Sequence, residues 1–491
     1  MNILLVYPQY PDTYWSFNHA LKFVSKKVAN IPIGILTVSS LLPGDWNRKL
    51  ADLNVSKLKD EDITWADYVF ISAMSVQSAS VKQVLELCSR LRTPVVAGGS
   101  LFTEEPGQYP GVDHLVLNEA EITLPLFLSD LEKGTPKRIY STDGFADMTK
   151  SPMPDYSLLK LSKYMTAGIQ YSRGCPFDCE FCDITALFGR RVRTKTPVQI
   201  LAELDQLVRI GWRSSVFFVD DNFIGHRQKL KKELLPAMID WAEANNHPFT
   251  FLTEASIDLS DDEELMDLMV RAGFTKVFVG IETPEESCLL ECNKNQNKGR
   301  DLINSVMTLQ QRGLEVMAGF IVGFDHDPPN IFQRQIDFIG RSGIITAMVG
   351  LLNAPRLSKL YRRMSAEGRL TDKFTGDNTN YSLNFVPVMN MDELMNGYQK
   401  IISEIYSSKV YYKRVLMFLK NYNPRFRDRL SFTRVTALFK SILYLGILKN
   451  KRRYFWKLVL WSIFNKPRAF PLAVTYSIYG YHFRKVFKNV S

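Results

Sequence analysis

Cysteine and histidine are both scarce in this 491-residue chain, six of each. The cysteines, at 88, 175, 179, 182, 288 and 292, are too few and too unevenly placed for the disulfide framework of a secreted domain. A reducing cytosol fits them better, because thiolates that hold metal must stay unoxidised. No run of eighteen apolar residues occurs, so no membrane-spanning helix is expected. The opening Met1-Asn-Ile-Leu-Leu-Val-Tyr-Pro lacks a basic start and reads as a buried first strand, not a signal peptide. Acidic residues almost vanish at the far end. Residues 401–491 hold 19 Lys and Arg against only Glu404 and Asp428, a local net of +17 in a chain that is +10 overall, which leaves −7 for residues 1–400. There is no internal repeat and no low-complexity run. At this length the chain is expected to form two to four domains.

Three of the cysteines stand together in Arg173-Gly-Cys175-Pro-Phe-Asp-Cys179-Glu-Phe-Cys182, a C-x3-C-x2-C spacing. A [4Fe–4S] cluster normally takes four thiolates. Three leave one iron open to a substrate or cofactor, and the spacing resembles the signature of the radical S-adenosylmethionine (SAM) superfamily. A structural zinc wants four ligands, often as two separated pairs, and the nearest histidines, His114 and His226, are more than forty positions away. Cys288 and Cys292, four apart, would share a helix face but supply only two ligands, so they read as ordinary thiols. Cys88 reads as core, and His19, His114 and His326 as structural.

The fold class read from the chain is α/β. In residues 1–150, short apolar runs at Ile3–Tyr7, Tyr68–Ser72, Pro94–Ala97 and His114–Leu117 alternate with helical stretches, which predicts a Rossmann-like parallel sheet. Gly98-Gly99 follows one run, where open α/β sheets bind ligands. Residues 141–156 read as a linker. Residues 151–376 carry a second series, with strands expected at Gly168–Tyr171, Val216–Val219, Phe249–Thr253, Lys276–Gly280, Glu315–Val322 and Ala347–Leu352. Six such units make a partial (β/α)6 barrel of the triosephosphate-isomerase type, with its chemistry on loops at the strand C-termini. Residues 377–491 read as a basic, aromatic-rich helical region.

The cysteine loop follows the first barrel strand. Asp220-Asp221 close the second, Glu254 the third, Glu282 the fourth, and Gly319 to Gly323 the fifth. Carboxylates suit an ammonium and ribose hydroxyls, and glycines let the backbone approach a flat purine. The chain resembles the cobalamin-binding-domain radical SAM enzymes, in the branch containing hopanoid methylases. The resemblance runs through Val6-Tyr-Pro-Gln-Tyr-Pro, Ile71-Ser-Ala-Met, Val95-Val-Ala-Gly-Gly, Val219-Asp-Asp-Asn-Phe, Thr253-Glu-Ala-Ser, Gly280-Ile-Glu and Ala318-Gly-Phe-Ile-Val-Gly-Phe.

This resemblance implies a [4Fe–4S] cluster on Cys175, Cys179 and Cys182. It implies SAM contacts at Asp220, Asp221, Glu254, Glu282, Gly319 and Gly323, and cobalamin bound by residues 1–150, with Ser72, Gly98 and Gly99 at its nucleotide tail. The Asp-x-His-x-x-Gly loop that gives cobalt a histidine in many B12 proteins is absent, so a domain that no longer binds cobalamin stays open as an alternative. The Pro-Gly-Thr turn common after the sixth strand is replaced by Asn353-Ala-Pro-Arg-Leu-Ser-Lys-Leu-Tyr361. The implied activity is reductive cleavage of SAM to a 5′-deoxyadenosyl radical, followed by methylation of an unactivated carbon in an isoprenoid or lipid-like substrate. A flavodoxin- or ferredoxin-type protein would deliver the electron. Carbon–carbon bond formation or rearrangement without methyl transfer, tRNA modification, and a non-enzymatic iron–sulfur or membrane-binding scaffold are the alternatives. The tail interleaves cations with aromatics, as helices in a membrane interface do, with Trp456 and Trp461 at headgroup depth. A peripheral place on the cytoplasmic membrane face is therefore expected, and no nucleic-acid partner.

Overall fold

The first third forms strands β1 (Asn2–Tyr7), β2 (Val28–Asn30), β3 (Asn47–Asp52), β4 (Tyr68–Ser72), β5 (Val95–Gly98), β6 (His114–Val116) and β7 (Ile139–Tyr140); β1, β4, β5 and β6 are the four expected apolar runs, and β2, β3 and β7 lie outside that expectation. The computed structural model describes residues 1–371, 374–377, 379–422 and 432–489. Six of these strands form one sheet, ordered β3-β1-β4-β5-β6-β7, with every pairing parallel. Separate apolar clusters cover its two faces: Leu4, Val6 and Val69 belong to one, Ile3, Leu5 and Phe70 to the other. That two-sided burial is why these strands read as continuous apolar runs. The strand order reverses between β1 and β4, and the crevice beyond their carboxyl ends is where doubly wound sheets bind ligands.

Strand β2 departs from the expected domain over 1–150. It pairs instead with β8 (Tyr164–Ile169), matching Val28 to Tyr164 and Asn30 to Thr166. Beyond β8 come a short ladder of β9 (Ser172–Arg173) with β10 (Arg193–Thr194), then β11 (Val216–Phe218), β12 (Phe251–Glu254), β13 (Phe274–Glu282), β14 (Glu315–Val322) and β15 (Ala347–Leu351). The second sheet runs β15-β14-β13-β12-β11-β8-β2, so the partial barrel gains an edge strand from the N-terminal third. An open barrel has two free edges, and each needs cover.

The segment before β2 supplies that cover. Trp15 donates its indole N–H to Met348 Sδ on β15 at 2.9 Å and meets the Phe278 ring edge-on. The Tyr14 and Tyr406 hydroxyls lie 2.8 Å apart, and the Tyr406 hydroxyl also donates to the Ala347 carbonyl at 2.7 Å. Helix Phe470–Val486 lies over this plug: Phe483 stacks on Tyr14 at 4.6 Å, and His482 Nε2 sits 2.9 Å from the Tyr14 carbonyl.

The last part of the chain is helical, as expected. Helices Met391–Ile405 and Ser408–Asn421 bury Leu394, Tyr398 and Tyr411 in the barrel's own core. Helix Phe432–Ser441 runs into a π-helical stretch, Ile442–Leu448, and turns back as helix Arg452–Asn465. Among the described residues no helix is long and apolar enough to cross a membrane. Both tail tryptophans are partly buried. Trp456 is half-buried, with its indole N–H donated to the Gly446 carbonyl at 2.9 Å, and Trp461 packs on the barrel core. Trp456 keeps a side on an open surface groove, whereas Trp461 is packed against the core; Phe439, Leu443, Ile447, Leu448 and Phe464 are more exposed than either. The tail cations Arg425, Arg427 and Arg429 lie outside the described residues.

The seam helix yields a stability test. A Cβ at Gly480 would overlap the Tyr411 ring, which cannot retreat because its hydroxyl donates to the Tyr476 carbonyl at 2.8 Å. Alanine gains about 1 kcal/mol of helix propensity over glycine, but overpacking costs about 1–3 kcal/mol. Gly480→Ala should therefore lower stability in urea unfolding; a more stable variant would mean the ring moves aside.

Candidate active site

The cysteine loop leaves β9 and returns on β10, so a two-residue ladder, Ser172 with Thr194 and Arg173 with Arg193, closes its neck. Gly174 opens the loop at φ +93°, and a side chain there would come within 2.9 Å of the Gly189 and Arg191 carbonyls. The Cys175 amide donates to the Gly189 carbonyl at 3.2 Å, and the Cys182 amide to the Cys179 carbonyl at 3.1 Å, which curls the three thiols together. Burial pushes all three thiols up, and the Cys175 and Cys182 thiols also feel neighbouring cysteine charge. Bound iron reverses that balance, since a metal draws off the thiol proton. Among the described residues no three such side chains converge closely enough to hold a single ion.

Around the loop the strand ends bring carboxylates together. Asp220 is 1% exposed and accepts from the Tyr171 amide at 3.2 Å and from the Ser172 amide and hydroxyl. Its acceptors are taken by the chain that leads into the loop, so it holds β9 in place. Asp221 accepts from the Gly174 amide at 2.8 Å. The Glu254 carboxylate has no hydrogen-bond partner among the described residues and stands free at the mouth. Burial raises all three, Asp220 to about 7, Asp221 to about 6 and Glu254 to about 7, with Asp221 and Asp220 adding to the rise at Glu254.

Glu282 ends β13 at φ +63°, where the register with β14 slips after Gly280. A bulge of this kind re-aims a side chain, and here it turns the carboxylate onto Lys294, 2.7 Å away, over the bare Cα of Gly280. Burial opposes the Lys294 charge, but Glu282 and Cys179 together hold its pKa above the ordinary lysine value. Lys294 and Gln296, whose amide lies 3.8 Å from Cys179 Sγ, were invisible in the sequence. They sit in a polar stretch, Asn293–Lys298, that reads as an ordinary loop. Gly319 lies in β14 against the Phe278 ring, and the space beside Gly323 is filled by Leu394 of helix Met391–Ile405.

The carboxyl ends of the first sheet face this mouth. Ser72 ends β4, and its hydroxyl would lie 3.2 Å from a Cβ on Gly99. Gly98 ends β5 against the Val116 carbonyl. Past β6, Glu119 takes Arg173 at 2.7 Å and Arg193 at 2.9 Å, and Glu121 takes Arg173 at 2.8 Å. Burial raises Glu121, but the Arg173 guanidinium outweighs it and holds the carboxyl below its usual value. Past β5, Glu105 pairs with Arg356 from the segment 353–361. Glu104 accepts from the Ser75 hydroxyl at 2.9 Å and is raised to about 7, first by burial and then by Asp183 beside Cys182. On the far side of the loop, Arg363 holds Glu180 at 2.7 Å and Asp325 at 2.7 Å, and Lys359 holds Asp178. Cys288 donates to Asp327 at 3.2 Å, and the buried Cys292 lies by Cys179 as an ordinary thiol.

Residues 169–339 match the radical SAM superfamily, and residues 358–491 match a domain of unknown function, DUF4070. The chain is 39% identical to an uncharacterized methyltransferase of Synechocystis, over 98% of this chain and 91% of that one. It is 32% identical to the hopanoid C-2 methylase of Rhodopseudomonas palustris, over 93% of this chain and 88% of that one. Among solved structures, the cobalamin-dependent radical SAM enzyme OxsB superposes with a TM-score of 0.63 at 14% identity, covering 100% of this chain and 79% of its own. The radical SAM methyltransferase TsrM of Kitasatospora setae gives 0.58 at 14%, covering 74% and 75%. These two likenesses establish the fold.

The raised carboxylates make stability depend on pH in a set direction. The folded chain keeps protons that ordinary carboxylates, with pKa about 4, have released, so stability should fall as pH rises between about 4 and 7. Iron-free protein should unfold at lower urea near pH 7.5 than near pH 5.5, and Glu254→Gln should flatten that slope. An unchanged slope in the variant would mean Glu254 titrates normally.

Proposed function

The chain belongs to the radical SAM superfamily, in the methyltransferase branch that includes the hopanoid C-2 methylase, and from that premise we propose that it methylates an unactivated carbon of an isoprenoid or lipid-like substrate. One juxtaposition carries the reading: a three-thiol loop stands beside buried strand-end carboxylates, Glu254 unpaired among them, and a buried lysine, at a mouth faced by the carboxyl ends of a doubly wound sheet. The 32% identity to a hopanoid methylase supports the substrate class.

The roles follow from chemistry. Cys175, Cys179 and Cys182 hold the cluster and leave one iron for SAM. Glu254 and Asp221 accept from the SAM ammonium, Lys294 receives its carboxylate, and Glu282 orients Lys294 and accepts from ribose hydroxyls. The backbone of the fifth strand end, from Gly319 to Gly323, receives the adenine. Asp220 is a positioning residue, acting through Ser172. Ser72, Gly98 and Gly99 line the crevice for the cobalamin nucleotide tail. When bound, the cluster would supply the electron that cleaves SAM, and cobalamin the methyl group; the protein orients both and excludes water. The ion pairs from Glu119, Glu121 and Glu105 keep the first sheet seated over the mouth, so that water is shut out. Arg190 and Lys359, both at least half exposed beside the loop, offer a landing site to an acidic one-electron donor of flavodoxin or ferredoxin type. The basic C-terminal helices place the enzyme at the cytoplasmic membrane face, where its substrate is dissolved.

The test is anaerobic reconstitution with iron, sulfide and hydroxocobalamin, then turnover with SAM, a reductant and bacterial membrane lipids, read by mass spectrometry. We expect about four irons per chain, cobalamin in step with them, and one lipid class gaining a CH2. Cys179→Ala should lose both iron and product. Lys294→Met should keep its iron but bind SAM more weakly and make little product. Iron without cobalamin would sink the methyl-transfer reading.

A further inference from the structure

Residues 429–491 contain no aspartate or glutamate. Within them, helix Phe432–Ser441, the π-helical stretch and helix Arg452–Asn465 form a hairpin whose inner face packs on Ala20 and Phe23 through Leu445, Phe455 and Val459. Its outer face is left bare. Phe439, Leu443 and Ile447 follow at intervals of four and are 67, 53 and 52% exposed, with Leu448 at 60% beside them. On the returning helix Leu460 is 46% and Phe464 80% exposed. Single exposed apolar residues are ordinary, but a contiguous face of them marks an interaction surface.

An open groove of about 460 Å³ lies at the turn, lined by Gly446, Ile447, Arg452, Arg453 and Trp456. The Trp456 indole is fixed to the Gly446 carbonyl, which sets the groove's floor. Arg452 donates to the Ile447 carbonyl at 3.3 Å and Arg453 to the Tyr454 hydroxyl at 2.9 Å. Neither arginine pairs with a described carboxylate, and each keeps further N–H donors for an anion. Planar guanidinium forks match phosphate geometry.

We propose that this hairpin docks on a bilayer of anionic phospholipid, with one phosphate headgroup seated at Arg452 and Arg453 and the residues from Phe439 to Leu448 and Phe464 immersed among the acyl chains beside it. The inference rests on the lipid-substrate reading above and gives it an orientation. Charge selects the occupant. A second copy of the chain would bring like charges together, whereas an anionic leaflet is complementary to every cation on this face. An apolar row flanked by cations is the pattern of helices that lie in the interface plane. RNA offers phosphates but nothing to cover Leu443, Ile447 and Phe464.

Co-sedimentation of the full-length, reconstituted protein with vesicles of phosphatidylcholine, with and without phosphatidylglycerol, tests the proposal. Binding is expected to the vesicles that contain phosphatidylglycerol. Each interfacial arginine contributes about fivefold in affinity, so Arg452→Gln with Arg453→Gln should weaken binding roughly 30-fold. Leu443→Ser with Phe464→Ser should also weaken it, while far-ultraviolet circular dichroism and gel filtration stay unchanged. No binding, equal binding to both vesicle types, or an unaffected arginine variant would overturn the proposal. So would tRNA binding that depends on the same four residues. Turnover of detergent-dispersed substrate should be the same in all these variants, so a failed vesicle test leaves the reaction reading standing, and failed turnover leaves the docking surface standing.

Discussion

The arrangement depends on a small, nearly buried ion network. Arg173 and Arg193 form the neck of the cysteine loop, and both reach Glu119, which is 1% exposed in its side chain, while Arg173 also takes Glu121. Removing such charges from water costs several kcal/mol per ion, and only close, multiple contacts offset it. The network is therefore a weak source of net stability but a strong constraint on position. An apolar interface would let the two sheets slide; a guanidinium with two carboxylates at 2.7 and 2.8 Å allows one seating. That seating ties the segment past β6 to the neck of the cysteine loop.

The opposite flank repeats the device with different chain segments. Arg363 and Lys359, just past the unusual 353–361 segment, hold Glu180 and Asp178 of the same loop. The loop is thus gripped from both sides by cations, while its interior is lined by carboxylates with raised pKa and one protonated lysine. Such an interior is incomplete without positive charge. Asp221, Glu254, Glu104 and Asp183 lie in poor solvent beside one another. A cationic group, such as a sulfonium or an ammonium, relieves this.

Much of the fold was legible because parallel strands buried on both faces give unbroken apolar runs, and eight of the ten expected strands needed only their ends adjusted. β2 was not legible: Val28–Asn30 is three residues long and becomes a strand only because β8 lies beside it. The cysteines were legible from spacing alone. Lys294, Glu119, Glu121 and Arg363 were not, because their partners lie between 12 and 183 residues away and a lone charge in a sequence carries no address. The tail failed for another reason. Helix Arg452–Asn465 has large apolar residues on both faces, so composition announced a surface without saying which side it was on. Packing against Ala20 and Phe23 made that choice, turning Trp456 inward and leaving Phe464 outside.

That choice ties the outer surface to the barrel wall. Helix Phe470–Val486 meets the docking hairpin through Val474 and Ile478 and meets the barrel plug through Phe483 and His482. Tyr14 and Trp15, which those residues hold, fill the gap between the two free barrel edges and reach Met348 and Phe278. A packed layer of aliphatic and aromatic side chains therefore runs from the inner face of the hairpin to the barrel edges. Packed interiors transmit displacement because they leave few voids to absorb it. A load on the hairpin is borne by the seam, and the seam sits where a closed eight-stranded barrel would have had one more strand.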